Sequence, residues 1–365
     1  MDLKRFLQCF GYFAILLTIL PFIALDYWWI RIFDFPHAQL TVLTLVAFLI
    51  YFFRFDLYSW RDYVFAFILA GCFIFQMGKI YPFTPFAELD VLKNENSDPD
   101  NTIGILAANV LQKNEKTEEL LDVIFTFDAD LIILTETSQR WRNEVAPELK
   151  PYYPYSVEVP LENTYGMLLY SRYELLDPEV KYLVDDSIPS IHGKIKLPSG
   201  QLIEIHSIHP TPPMPQHNPE STDRDAEMMI VAKMAKESEL PVIVTGDFND
   251  VAWSRTTSLF KSVGELLDPR VGRGFFNTYS ANTWIMRWPL DHLFISEEFR
   301  TMELERGRNF GSDHFPLYSK LSLEPENAEE QKPEPASSEE MESAMEQIRK
   351  VTANPDQPLA INLCD

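Results

Sequence analysis

The chain has 365 residues, 46% of them hydrophobic and 13% aromatic, and a formal net charge of −23 at pH 7. That acidity opposes a general nucleic-acid-binding role, whose affinity rests on Lys and Arg displacing counterions from phosphates, although it leaves room for a local basic groove. The three cysteines, Cys9, Cys72 and Cys364, support neither a disulfide framework nor a Cys-based zinc site, and they do not reveal the redox compartment.

Composition divides the chain into four zones. Residues 1–86 are rich in Phe, Leu, Ile, Tyr and Trp, 87–101 read as a linker, 102–323 as a globular domain, and 324–365 as an acidic tail. Within the first zone, Phe6–Leu25 is an apolar run of about the ~20 residues that a helix needs to cross a bilayer core. It continues into Tyr27-Trp28-Trp29 rather than a small-residue cleavage site, so it reads as an anchor and not as a signal peptide. Further runs cover His37–Phe53 and Tyr63–Met77, the latter extensible to Phe83, which predicts three spans and a multi-pass protein of the inner or plasma membrane. Lys4, Arg5, Arg54 and Arg61 fall on one side of these spans, and Arg31 and Lys79 on the other. The positive-inside tendency therefore places everything after Lys79 on the non-cytoplasmic side. Scarce intramembrane charge argues for anchoring rather than conduction.

In the globular zone, Ile103–Asn109, a helical pattern over Lys116–Phe127, and Leu131–Glu136 form a strand, helix, strand unit. Further strands are predicted at Gly166–Tyr170, Ile191–Leu197, Leu202–His209, Val242–Thr245, Leu290–Ser296 and Pro316–Leu321, with a helix over Asp223–Glu237. This mixture points to an α/β fold of two packed sheets flanked by helices. Polar residues recur where the apolar strands end: Asn109, Glu136, His209, Asp247 with Asn249, Asp291 with His292, and Asp313 with His314. Singly, each is an ordinary cap or turn former. Together they are the hard oxygen donors and histidines that Mg²⁺-assisted hydrolysis of a phosphoester requires.

Val242-Ile-Val-Thr-Gly-Asp247-Phe-Asn249 and Gly311-Ser-Asp313-His314-Phe-Pro resemble the Gly-Asp-x-Asn and Ser-Asp-His-x-Pro motifs of the endonuclease/exonuclease/phosphatase family. Asn109, Leu134-Thr-Glu136 and Leu290-Asp291-His292 match its other stations in order, and Trp253, Trp284 and Trp288 resemble its membrane-attached bacterial branch. The resemblance implies a four-layer sandwich of two mixed β-sheets flanked by helices, with a cleft at one rim. It implies Mg²⁺, with Mn²⁺ as an alternative, bound by Glu136, with Asn109 nearby and Asp313 completing the set. It further implies Asp247 as the group that deprotonates water, Asn249 as a hydrogen-bond partner of phosphate or nucleophile, and His314, oriented by Asp291, as a phosphate contact. His209 is preferred over His206 for phosphate or leaving-group contact, since residues three apart on a strand face opposite sides. Tyr170 and Arg172 are weaker phosphate-binding candidates, as is Arg224, and His292 reads as structural.

The tail from Glu324 holds 11 Asp and Glu against 3 Lys and Arg, a formal charge of −8, and is expected to be disordered. Within it Ser337–Val351 could form an amphipathic turn for a protein partner. The function expected is a membrane-anchored phosphodiesterase, nuclease or phosphatase acting on a lipid, small-molecule or nucleic-acid phosphoester. The alternative is a noncatalytic membrane-anchored binding module that keeps the fold.

Overall fold

The computed structural model describes residues 3–23, 26–95, 98–215 and 218–352. It begins with α1 (Leu3–Ile19), a one-turn α2 (Trp28–Arg31), α3 (His37–Tyr51) and α4 (Trp60–Ile80). With the 3₁₀ turns that extend them, three helices are long and apolar enough to cross a membrane: Leu3–Ile23, His37–Arg54 and Trp60–Phe83. Ala14, Ala47, Tyr51, Phe65 and Leu69 pack them together. Phe13, Leu16, Leu49, Phe67 and Ile74 point outward and stay exposed, an apolar surface of the kind that marks a protein or membrane interface. Lys4 Nζ lies 2.6 Å from Asp62, so the N-terminal ends of α1 and α4 share one end of the bundle. The α2 connector and the end of α4 share the other.

Two sheets follow. β1 (Thr102–Asn109), β2 (Leu131–Thr135), β3 (Tyr155–Val159), β4 (Met167–Ser171), β10 (Phe299–Arg306) and β11 (Leu317–Leu323) form one, in the order β10-β11-β1-β2-β4-β3. β5 (Glu174–Lys181), β6 (Ser190–Lys196), β7 (Leu202–Ile208), β8 (Val242–Asp247) and β9 (Asp291–Ile295) form the other, in the order β5-β6-β7-β8-β9. Each sheet is mixed, since β1–β2 and β7–β8 are parallel and the remaining pairs antiparallel.

Side-chain alternation decides how the layers stack. Ile103, Ile105, Leu131, Ile133, Ile203, Ile205, Ile243, Leu293 and Ile295 meet between the sheets. Their neighbours in sequence turn outward: Leu106, Ala108, Ile132 and Leu134 pack under α5 (Thr117–Phe127) and α6 (Gln139–Leu149). Val242, Val244 and Phe294 pack under α7 (Thr222–Glu237) and α8 (Arg255–Gly264). The result is the expected four-layer arrangement.

Residues 324–352 are not disordered, contrary to the reading of their composition. Gln331 inserts beside β10, donating to Phe299 O at 2.6 Å, and Arg300 pairs with Glu330 at 2.9 Å. α9 (Ser338–Thr352) buries Ala344, Ile348 and Val351 against the layer formed by α7 and α8. The segment is too polar to fold alone, but its one apolar stripe finds a partner within the chain. Residues 353–365 lie outside the described residues. The 87–101 segment is also partly docked: Val91 is buried between the sheets, and Asp90 pairs with Lys261 at 2.5 Å.

The helical bundle and the sandwich meet through Met77, Ile80, Phe83, Phe35, Val251, Trp253, Leu290 and Trp288. Trp253 Nε1 donates to Asp34 O at 2.8 Å. Trp253 is therefore an anchor between the two bodies.

Candidate active site

The inter-sheet faces of the strands carry the site. Asn109, His209, Asp247 and Asp291 continue the parity of Ile105, Ile205, Ile243 and Leu293, so each points into the gap between the sheets just where apolar filling stops. Register aligns them: Asn109 is beside Thr135, Ile208 beside Gly246, and Asp247 opposite Asp291. Gly246 has φ +143°, and a Cβ there would lie 2.0 Å from Ile208 O, so only glycine permits the close approach that delivers Asp247. Glu136 (φ +59°) and Asn249 (φ +52°) are left-handed. Asn tolerates that conformation, whereas for Glu136 it costs roughly 1–2 kcal/mol, a strain of the kind that gathers at functional sites.

Asn109 ties the two sheets together. Its Nδ2 donates to Glu136 Oε1 at 2.8 Å and to Asp247 Oδ2 at 2.9 Å. The Asp291 carboxylate accepts from His314 Nδ1 at 2.7 Å, and His314 Nε2 and His209 Nε2 lie 3.6 and 3.9 Å from Asp247 Oδ2. Ser312 Oγ donates to Asn109 O at 2.7 Å and accepts from His314 N at 3.0 Å, which pins the closing motif to the end of β1. Asn249 lines the cleft, and its Nδ2 donates to Pro210 O at 3.0 Å, holding the loop that carries His209. Asp313 lines the same cleft and keeps a buried Oδ1 with no hydrogen-bond partner.

Burial opposes the charge of His314, but the Asp291 and Asp247 carboxylates outweigh it and raise its pKa to about 10. Burial also raises Asp247, with His314 opposing and Asp291 reinforcing the rise. Burial raises Asp313, His314 opposes, and Glu136 adds to the rise. A crowd of carboxylates around one imidazolium calls for further positive charge. Asp247, Asp291 and His314 offer donor atoms within 4.8 Å of one another, yet the Asp291–His314 bond occupies two of them. The carboxylates of Glu136 and Asp313, the latter with an unpartnered oxygen, form a hard-oxygen set that fits a divalent cation.

Tyr170 and Arg172 are not part of the site. β4 runs antiparallel to β2, with Met167 beside Thr135 and Ser171 beside Leu131, so the end of β4 lies at the opposite rim from Glu136. There Tyr170 bonds Glu158 at 3.2 Å, and Arg172 pairs with Asp128. The start of β4 reaches the cleft instead: Tyr165 lines it, its ring 5.4 Å from that of His209. Gly166 allows this approach, since a Cβ there would lie 1.8 Å from Thr137 O. The sequence also gave no sign of Tyr279, whose ring lies 4.9 Å from His314, or of the connector residues Trp28, Arg31, Ile32 and Phe35, which complete the wall. Arg224 is buried beneath the site. It pairs with Asp225 at 2.8 Å and donates to Asn249 O at 2.8 Å, so it supports the cleft from behind. His206 bonds His192 at 2.8 Å away from the cleft, and His292 sits between Arg270 and Asp250 O.

The sequence pattern of the endonuclease/exonuclease/phosphatase family matches residues 101–314. The chain belongs to this family. Its members are phosphoester hydrolases, nucleases and phosphatases among them, and are generally dependent on divalent metal. Solved structures with the same fold include D. rerio TDP2 complexed with single strand DNA product (15% identity, TM-score 0.51, covering 61% of this chain and 99% of that one). A family protein from Bacteroides thetaiotaomicron matches at 18% identity and TM-score 0.50, over 61% of this chain and 98% of its own. One from Bacteroides vulgatus matches at 17% and 0.50, over 61% and 99%. No curated protein gives a significant sequence match.

Proposed function

We propose that the chain is a membrane-anchored, Mg²⁺-dependent phosphoester hydrolase with its catalytic domain on the non-cytoplasmic side. The observation that carries this reading is Asp247, fixed by Asn109 at 2.9 Å and faced by His314 and His209 at 3.6 and 3.9 Å. Asp247 takes a proton from the attacking water, whose oxygen bonds to phosphorus as the ester P–O bond breaks. The departing oxygen receives a proton from His209. The His314 imidazolium, held by Asp291, stabilises charge on a non-bridging phosphoryl oxygen. Mg²⁺, or Mn²⁺ in its place, held by Glu136 and Asp313 with Asn109 beside them, would supply positive charge that offsets the growing negative charge on those oxygens.

The anchoring reading is supported by the three helices of spanning length, and the orientation by Lys4, Arg5, Arg54 and Arg61 lying at the bundle end away from the sandwich. The full chain, assayed on a panel of lipid, nucleotide and small-molecule phosphoesters, is expected to turn over at least one class with Mg²⁺ or Mn²⁺ and none with chelator. Protease added outside sealed right-side-out vesicles is expected to remove the sandwich. Protection there would reverse the orientation, and absence of metal-dependent turnover across the panel would remove the enzymatic reading.

A further inference from the structure

We infer that the active-site cleft takes a membrane lipid phosphoester, with the connector between the first two apolar helices forming the wall that receives the lipid's apolar part. The inference rests on the hydrolase reading and names its substrate class. One cavity of about 620 Å³ runs from Glu136 and His314 to Trp28, Ile32 and Phe35, so the reacting groups and residues of the helical bundle share a single space. The connector is a fixed wall. Trp28 N donates to Pro219 O at 2.8 Å, Ser221 N donates to Asp26 O at 2.8 Å, and Arg31 pairs with Asp225 at 3.0 Å.

The rim of the cleft faces the membrane end of the molecule. The Trp284-Ile285-Met286 loop precedes Trp288, which lines the cavity, and its three side chains are 85%, 67% and 46% exposed. Gln39, in the first turn of the second spanning helix, donates to Ile285 O at 2.7 Å, which holds this apolar loop at the level where the helix meets the bilayer surface. Trp is at home at that depth, its ring apolar and its N–H polar. Ile32 and Met214, also exposed, lie on the same cavity. A nucleic acid needs a track of free cations. Arg31 is the Lys or Arg among the described cavity-lining residues, and it is held by Asp225, with Asp34 and Asp26 at 3.5 and 3.6 Å. An amphiphile whose phosphate reaches His314 while its chains lie along Ile32, Phe35 and Trp28 matches both ends of this space.

The test uses the full chain in lipid nanodiscs with Mg²⁺, comparing long-chain phosphatidylglycerol or phosphatidylethanolamine with bis-p-nitrophenyl phosphate and a single-stranded DNA oligomer. Lipid is expected to be the preferred substrate by kcat/KM. Ile32→Asp and Trp284→Asp, both at exposed positions, are expected to lower the ratio of lipid to soluble-ester kcat/KM by about tenfold each, since a charge in an apolar wall disfavours acyl chains by at least ~1.4 kcal/mol. Turnover of the soluble ester or of DNA with no lipid cleavage would overturn the inference and leave the hydrolase reading standing, as would an unchanged ratio in both variants. No metal-dependent turnover of any of the three substrates would remove both.

Discussion

The His314 imidazole is buried between Asp291 at 2.7 Å and Asp247 at 3.6 Å, and its pKa of about 10 lies well above the ordinary ~6.5 for histidine. Its ion pairing therefore stabilises the fold fully below about pH 6.5, and that contribution is lost as pH rises through about 10. In the proposed mechanism the same cation stabilises the phosphoryl group, so the alkaline limb of kcat/KM is expected near pH 10. Asp291→Asn removes the nearest carboxylate and is expected to move that limb toward neutral pH; a limb that stays in place would show that Asp291 does not set the charge of His314. Asp247→Asn is expected to lower kcat by roughly 10²–10⁴, the range for loss of a positioned base, with the fold intact by circular dichroism. The residues that sequence could identify were those following an apolar strand on the parity of its buried face, such as Asp247 and Asn109. Tyr170 and Arg172 misled because they too follow an apolar strand, and sequence does not show that this strand runs the other way. Tyr165, at the start of that strand, was hidden for the same reason.

Of the strands that predicted themselves, β1, β2, β4 and β8 are buried on both faces, with no exposed residue. Those without a clear signal, β3, β5 and β10, are sheet edges that carry exposed residues, and β5 also carries Pro178 and a register shift between Leu176 and Glu179. β9 is an edge as well, yet it was legible because Leu267 exchanges backbone hydrogen bonds with Ile295 and covers its open side, keeping the strand apolar. α9 was legible as an amphipathic turn over Ser337–Val351 but its docking site was not, since a single apolar stripe on an acidic segment has value only once α7 and α8 are there to receive it. Ile348→Asp places a charge in that contact and is expected to cost about 2–4 kcal/mol, read as a fall in denaturation midpoint; an unchanged midpoint would return the segment to a free tail. Gly246→Ala meets Ile208 O at 2.0 Å and is expected to yield little folded protein, because backbone rather than a movable side chain lies in the way.

At the scale of the whole molecule, the acidic sandwich and the apolar bundle meet at the candidate active site, the connector of one closing the cleft of the other. Acid stability is set elsewhere. Burial, with mutual repulsion at His192, lowers the pKa of both His192 and His206, so both fold neutral and bind protons more readily when unfolded. Stability is expected to fall as pH drops below about 6.5, the ordinary histidine value, and His206→Gln is expected to flatten that decline in a denaturation series across pH. The central claim is hydrolysis of a phosphoester at Asp247. Its most direct test is turnover by the full chain in heavy-oxygen water with Mg²⁺, followed by mass analysis of both products. The heavy oxygen is expected on the phosphoryl product alone, with turnover abolished by chelator and lowered by roughly 10²–10⁴ in Asp247→Asn. Label on the alcohol product, or turnover that survives both chelation and Asp247→Asn, would contradict it.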